Sequence, residues 1–270
     1  MSFLTLMDKP TNQPINILVL NYTNTNLISD IKNKFINSKI YTITSKNFND
    51  ITTINSDIET ISLNFKYNFF DYIILDHTLE KLIDPWSTIG KISRYLKISG
   101  NLLCSFTNIM HISIIKDILN GTFSYKNSKL LDKNILRLFT IKEVKELLSE
   151  NNFSEPTIIN YYTISQDNEL IEKLLSLSNN SSYLDYSTYE YFIRSTKQTD
   201  LSKYNSIDMI NIKYKLMRID NKLDIENSVS YILNYKYEDL DEFTYDIQYL
   251  IDHYTINKDF VLNTLKSLLH

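Results

Sequence analysis

Residues 71–86, DYIILDHTLEKLIDPW, constrain the fold of this chain more than any other stretch. Tyr72, Ile73, Ile74 and Leu75 form a short apolar run rich in strand-forming residues, as expected of a strand covered on both faces. Asp76 and His77 follow it as a polar crest, and Leu79 and Leu82 then begin an apolar pattern at helical spacing. Pro85 suits a first helical turn after a capping Asp84, because its missing N–H has no intrahelical partner to lose there. A strand buried on both faces needs helices on both sides of its sheet, which points to an α/β architecture. Ligands of open α/β sheets bind at the carboxyl ends of the strands, so Asp76 to Glu80 should border any small-molecule site.

The rest of the chain continues the alternation. Residues 15–20 (INILVL) read as a buried strand, 21–26 as a polar turn, and Leu27, Ile28, Ile31 and Phe35 recur at helical spacing. Residues 39–44 and 52–58 read as two more strands. A helix from Pro85 to about Leu96 buries Ile89, Ile92 and Leu96, and Gly100 turns the chain into a strand over 101–106. Residues 109–120 read as helix, and 121–139 as a long irregular segment of the kind that often forms a lid. Thr140, with Glu143 three residues on, caps a helix that buries Val144, Leu147 and Leu148. Residues 157–164 and 188–195 alternate as strands, separated by a helix at about 168–177 and the loop SNNSS. This order predicts a Rossmann-like, mostly parallel, seven-stranded α/β sheet. Residues 1–14, with Pro10 and Pro14 and little apolar periodicity, read as a loose lead-in.

From about residue 203 the pattern changes. Ile207, Ile210, Tyr214 and Met217 recur on one helical face, as do Phe243, Ile247 and Leu250, and again Val261, Leu265 and Leu268. Three or four amphipathic helices are expected, packed on the sheet domain or against a protein partner. The domain reading is therefore 1–200 for the α/β domain and 201–270 for a helical C-terminal extension. Residues 200–270 carry 12 acidic and 8 basic side chains and the remainder carries 20 of each, so the tail supplies the whole net charge of −4.

That charge gives no electrostatic case for nucleic acid. The single Cys104 excludes an internal disulfide and a cysteine-cluster metal site, and no His/Asp/Glu group has metal-ligand spacing. No apolar stretch has membrane-span length and no signal-peptide pattern opens the chain, so a cytoplasmic protein is the default expectation. The chain has no Ala, three Gly and an abundance of Asn, Ile, Lys and Tyr, which resembles the coding bias of an AT-rich genome and lowers the information in any single Asn, Lys or Tyr.

Several motifs together resemble the class I S-adenosylmethionine-dependent methyltransferases, over residues 15–165 and most strongly over 71–153. FDYIILDHTLEKLIDPW is similar to the strand-four motif D-V-L-E-H-L…D-P-W of a bacterial subgroup associated with glycan and cell-surface modification. YLKISGNLLCSFTNIMHIS is similar to its L-K-P-G-G strand-five segment with P-N-x-x-H, and GTFSYKNSKLLDKNILRLFT to its lid segment. The resemblance implies S-adenosylmethionine as cofactor, held by Asn21, Tyr22, Thr23 and Thr25 after the first strand and by Thr44 after the second. It places Asp57 at the adenine amino group and Asp76 beside the cofactor. The family's D-x-G-x-G-x-G turn is replaced here: Asn21, Thr23 and Thr25 stand at the glycine positions and Val19 at the acidic one. Thr44 (Ser45 in a register shifted by one) stands where the family has a ribose-binding carboxylate.

Within this frame His77 and His111 are the candidate catalytic bases, and Tyr125, Asp132 and Arg137 the candidate acceptor-binding or lid residues. Each has a plainer reading: His77 as a strand-end histidine, His111 as a helix-start hydrogen bond, Glu80 as a structural charge, and Arg137 with Asp132 as a salt bridge within the lid. The resemblance implies a methyltransferase homologue acting on a small-molecule or glycan acceptor in cell-surface or flagellar modification. The alternative is a non-catalytic pseudo-methyltransferase that serves as scaffold or regulatory partner of an active enzyme through its C-terminal helices. A third possibility is a cleft that holds another nucleotide-like ligand.

Overall fold

The computed structural model describes residues 2–20, 25–43, 52–54, 59, 65–123, 125, 131, 133–162, 167–198, 202–237 and 240–267. Seven strands form one sheet in the order β3-β2-β1-β4-β5-β7-β6. They are β1 (Ile15–Leu20), β2 (Ser38–Ile43), β3 (Thr52–Ile54), β4 (Phe70–Asp76), β5 (Leu96–Thr107), β6 (Thr157–Tyr162) and β7 (Thr188–Thr196). The strands β1 to β5 pair in parallel, while β7 runs antiparallel to both β5 and β6. The order reverses between β1 and β4, and the carboxyl ends of those two strands flank the crevice where open α/β sheets take ligands.

Side chains of β4 alternate between two cores, as the pleat requires. Ile73 and Leu75 join Leu18, Leu102, Cys104 and Phe106, with Ile89 and Ile92 of α3 (Pro85–Ser93) and Val144, Leu147 and Leu148 of α5 (Ile141–Glu150). Tyr72 and Ile74 join Ile17, Val19 and Leu103 on the other face, beneath α1 (Ser2–Leu6) and α2 (Thr25–Lys34). Among the described residues this unit also holds α4 (Ile112–Leu119), α6 (Asn168–Leu177) and α7 (Tyr183–Ser187). Expected caps are present. Asp84 Oδ1 accepts the Ser87 N–H at 3.1 Å with Pro85 as the first helical residue, and Thr140 Oγ1 accepts the Glu143 N–H at 3.1 Å.

The lead-in expected over 1–14 is instead a structured start. Phe3, Leu6 and Met7 are buried in the second core, and Phe3 meets Phe192 edge-on at 5.0 Å. Three apolar residues at helical spacing suffice to seat one helical turn when a sheet face is there to cover. The expected end of α3 also moves. The helix stops at Ser93, and Leu96 already opens β5, paired with Phe70. Between that pair and the next, Tyr72 with Asn101, β5 carries extra residues, with Ser99 at φ +58°. A Cβ on Gly100 would lie 2.8 Å from the Lys97 carbonyl oxygen, so the irregularity needs glycine there.

The chain divides into two compact units, 1–198 and 199–270. The second, by itself, contains α8 (Ile207–Asp220), α9 (Ile225–Leu233), α10 (Leu240–Tyr254) and α11 (Lys258–Ser267). Here α8 packs against α9, α10 and α11. Phe243, Ile247 and Leu250 are buried as expected, and so are Val261 and Leu265. The face expected for α8 is not the buried one: Ile207 and Tyr214 are exposed, while Ile212, Leu216 and Ile219 are fully covered. The sequence of α8 is apolar on two stripes at the same spacing, and packing selects the one without the tyrosine. No helix among the described residues is long and apolar enough to cross a membrane.

Candidate functional site

The polar crest after β4 is a closed network. His77 adopts φ +44°, a left-handed conformation that a residue with a side chain takes at a cost. Its backbone N–H donates to Ser105 Oγ at 3.0 Å, and the same hydroxyl donates to Asp76 Oδ1 at 2.8 Å. Ser105 is the β5 residue paired with Asp76, so the sheet register itself brings the three together. The His77 ring lies between two carboxylates, with Nε2 2.8 Å from Glu190 Oε1 and Nδ1 3.4 Å from Glu80 Oε2. Both ring nitrogens thus face acceptors, which selects the imidazolium. Burial pulls its pKa down, but the hydrogen bonds to Glu190 and Glu80 outweigh that and push it up to about 10.

Glu80 is buried in the short 3-10 turn Leu79–Lys81 and ties down two other segments. Its Oε1 accepts the Thr107 N–H of β5 at 2.6 Å, and its carbonyl oxygen accepts the N–H groups of Leu136 and Arg137 at 2.7 and 2.9 Å. Glu190 comes from β7, opposite Thr107. The cluster therefore joins the β4 crest, β5, β7 and the segment that returns from the irregular stretch.

In this geometry the His77 ring bridges Glu190 and Glu80 as an ionic clamp. His111 caps α4: its Nδ1 accepts the Ser113 N–H at 3.4 Å and lies 2.8 Å from Ser113 Oγ. Burial lowers its pKa, which favours the neutral ring. Asp76 ends β4 half-buried, and Glu80 is structural. Arg137 is exposed and its guanidinium donates to the Ile83 carbonyl oxygen at 2.5 Å. Tyr125 meets Phe123 edge-on at 5.4 Å. Thr25 is the first residue of α2. The remaining expected positions, Asn21, Tyr22, Thr23, Thr44, Asp57 and Asp132, lie outside the described residues.

Sequence reasoning missed Glu190 and Ser105. The one local signal for Glu190 is an acid between Tyr189 and Tyr191 at the start of a strand; Ser105 carries no signal until the β4–β5 register is known.

Residues 17–104 match the family model described as Methyltransferase domain. Among curated proteins none matches the chain. The fold is that of the class I methyltransferases, shared with a SAM-dependent methyltransferase from Thermotoga maritima at 15% identity. That alignment covers 73% of this chain and 86% of the other, with a TM-score of 0.51. A SAM-dependent methyltransferase from Archaeoglobus fulgidus aligns at 14% identity over 69% and 88%, with a TM-score of 0.48.

Proposed function

We propose that the sheet domain, a methyltransferase-domain sequence over residues 17–104 carried on a class I S-adenosylmethionine-dependent methyltransferase fold, binds S-adenosylmethionine at the carboxyl ends of β1, β2 and β4. Its acceptor, on this reading, is a small molecule or glycan in cell-surface or flagellar modification. The observation that carries the reading is the reversal of strand order between β1 and β4 with the polar crest Asp76–Glu80 directly beyond it. Among the described residues Asp76 suits the cofactor. Asp76, half-buried and fixed by Ser105, offers a carboxylate to a ligand that bears a sulfonium and an ammonium group. Asn21, Tyr22, Thr23 and Thr25 would line the turn, Thr44 would meet the ribose and Asp57 the adenine.

When bound, S-adenosylmethionine supplies an electrophilic methyl carbon on a positively charged sulfur. The chain's own contribution is alignment. The His77 clamp fixes the crest and the returning segment. Transfer of a labelled methyl group from S-adenosylmethionine into saccharides from the native cell surface tests this. Label in a saccharide supports the reading, and its absence with cofactor bound removes the acceptor class.

A second reading is favoured by one observation: both candidate bases are already committed to structural bonds. Combined with the side chains at positions 19, 21, 23, 25 and 44, this supports a pseudo-methyltransferase whose C-terminal helices hold a partner enzyme. Deleting residues 203–270 should then abolish capture of that enzyme from native extract, and retained capture would remove the helices as the contact.

A further inference from the structure

The helical unit 199–270 contains a cavity of about 410 Å³ lined by Tyr204, Asn205, Ile210, Lys213, Tyr214 and Tyr254. That volume lies within the range of small-ligand sites. Its walls are fixed from within the unit. Tyr204 is 6% exposed, its hydroxyl donates to Asp246 Oδ1 at 2.7 Å, and its ring stacks on Tyr249 at 4.4 Å and 13°. Lys203 pairs with the same Asp246, so the carboxylate behind that wall is neutralised. On the opposite side Lys213 Nζ lies 3.9 Å from the centroid of the Tyr254 ring. Lys213 makes no ion pair among the described residues, and no described acidic side chain lines the cavity.

The chemistry of this lining is selective. Tyr214, 58% exposed, is the lining ring on which the C–H face of a pyranose can stack, and the Tyr214 and Tyr254 hydroxyls and the Asn205 amide match ring hydroxyls. One ammonium held over an aromatic face matches one carboxylate. A phosphate ester, with a charge of about −1.5 to −2, would exceed the single cation. We propose that this cavity is a binding site for a carboxylated sugar of the uronic-acid type. The proposal stands on the cavity alone and does not depend on methyl transfer or on cofactor binding.

The test is titration of the full-length protein with glucuronate, glucose, glucose 6-phosphate and benzoate, followed by calorimetry and tyrosine fluorescence. Glucuronate should saturate at millimolar concentration, and each of the other three should bind at least about tenfold more weakly, about 1.4 kcal/mol. Lys213→Met should weaken glucuronate about tenfold while Lys213→Arg retains it. Tyr214→Ala should weaken it comparably with an unchanged unfolding midpoint, because Tyr214 is 58% exposed. Absence of saturable glucuronate binding, equal binding of glucose or benzoate, or unaltered binding by both Lys213→Met and Tyr214→Ala would overturn the proposal. Titration of the same sample with S-adenosylmethionine separates this outcome from failure of the cofactor reading.

Discussion

The strand β4 carries a charge cluster at each end, and the two are mirror images in sign. At the amino end one carboxylate sits between two ammonium groups: Asp71, 1% exposed, accepts from Lys9 Nζ at 2.7 Å, Lys97 Nζ at 2.8 Å and the Asn16 N–H at 2.9 Å. At the carboxyl end one imidazolium, His77, sits between two carboxylates, Glu80 and Glu190. Both clusters satisfy polar groups where the central strand leaves the sheet, and both fasten segments distant in sequence. They differ in strain and in position. Among these charged residues His77 alone is held at positive φ, and its cluster lies at the carboxyl end of the parallel strands, where it fixes the crest and the returning segment. The amino-end cluster fastens the start of the chain and the beginning of β5, at the opposite end of β4. Placing the strained cluster at the carboxyl end is the arrangement expected of a site that must hold its shape before anything binds.

The comparison can be broken most forcefully at Asp71. Asp71→Ala leaves two lysines and a backbone N–H without their shared acceptor and should cost about 3 kcal/mol, read from urea unfolding. A loss under about 1 kcal/mol would mean the amino-end cluster behaves as a surface ion pair. His77→Gln should cost less, about 2 kcal/mol, because the ring is 36% exposed although Glu80 remains buried. Equal costs would erase the distinction between the two ends.

The pH dependence sharpens the contrast, since the signs are opposite. Burial raises the Asp71 pKa, but the bonds from Lys9, Lys97 and Asn16 outweigh it and hold the carboxyl below its ordinary value of 3.8. Its contribution is therefore present above that value and is lost as pH falls through the depressed folded value. His77 is raised from 6.5 to about 10. Its contribution is full below 6.5 and is lost as pH rises toward about 10. Thermal melts from pH 6 to 10 should therefore converge for wild type and His77→Gln at the alkaline end; parallel curves would mean that the imidazole does not titrate in this window. The smallest effect is expected at Tyr72, whose hydroxyl accepts the Asp8 and Lys9 N–H groups at 3.1 and 2.9 Å. Tyr72→Phe should cost about 1 kcal/mol in the same unfolding measurement, and no change would exclude that hydroxyl as a fastener of the chain start.

Most of the sheet was legible in the sequence because a strand buried on both faces and a helix with a marked cap are local signals. β4, α5 and α6 fall where the Tyr72–Leu75 run, Thr140 and the 168–177 periodicity put them. α1 was not legible, because a single turn is held by Phe192 and Arg194 of β7, which the sequence does not bring near. The choice between two apolar stripes on α8 was likewise made by packing. At the candidate site, the position of Asp76–Glu80 was readable from the end of an apolar run. The state of His77 was not, because it is set by Glu190, which only the antiparallel β7 carries to that point.

The central claim is that the carboxyl end of this sheet holds S-adenosylmethionine, and calorimetric titration of the full-length protein with S-adenosylmethionine and S-adenosylhomocysteine tests it most directly. The account predicts saturable binding with a micromolar dissociation constant, about −8 kcal/mol. No heat at millimolar concentrations of either ligand would contradict it and leave a methyltransferase fold without its cofactor.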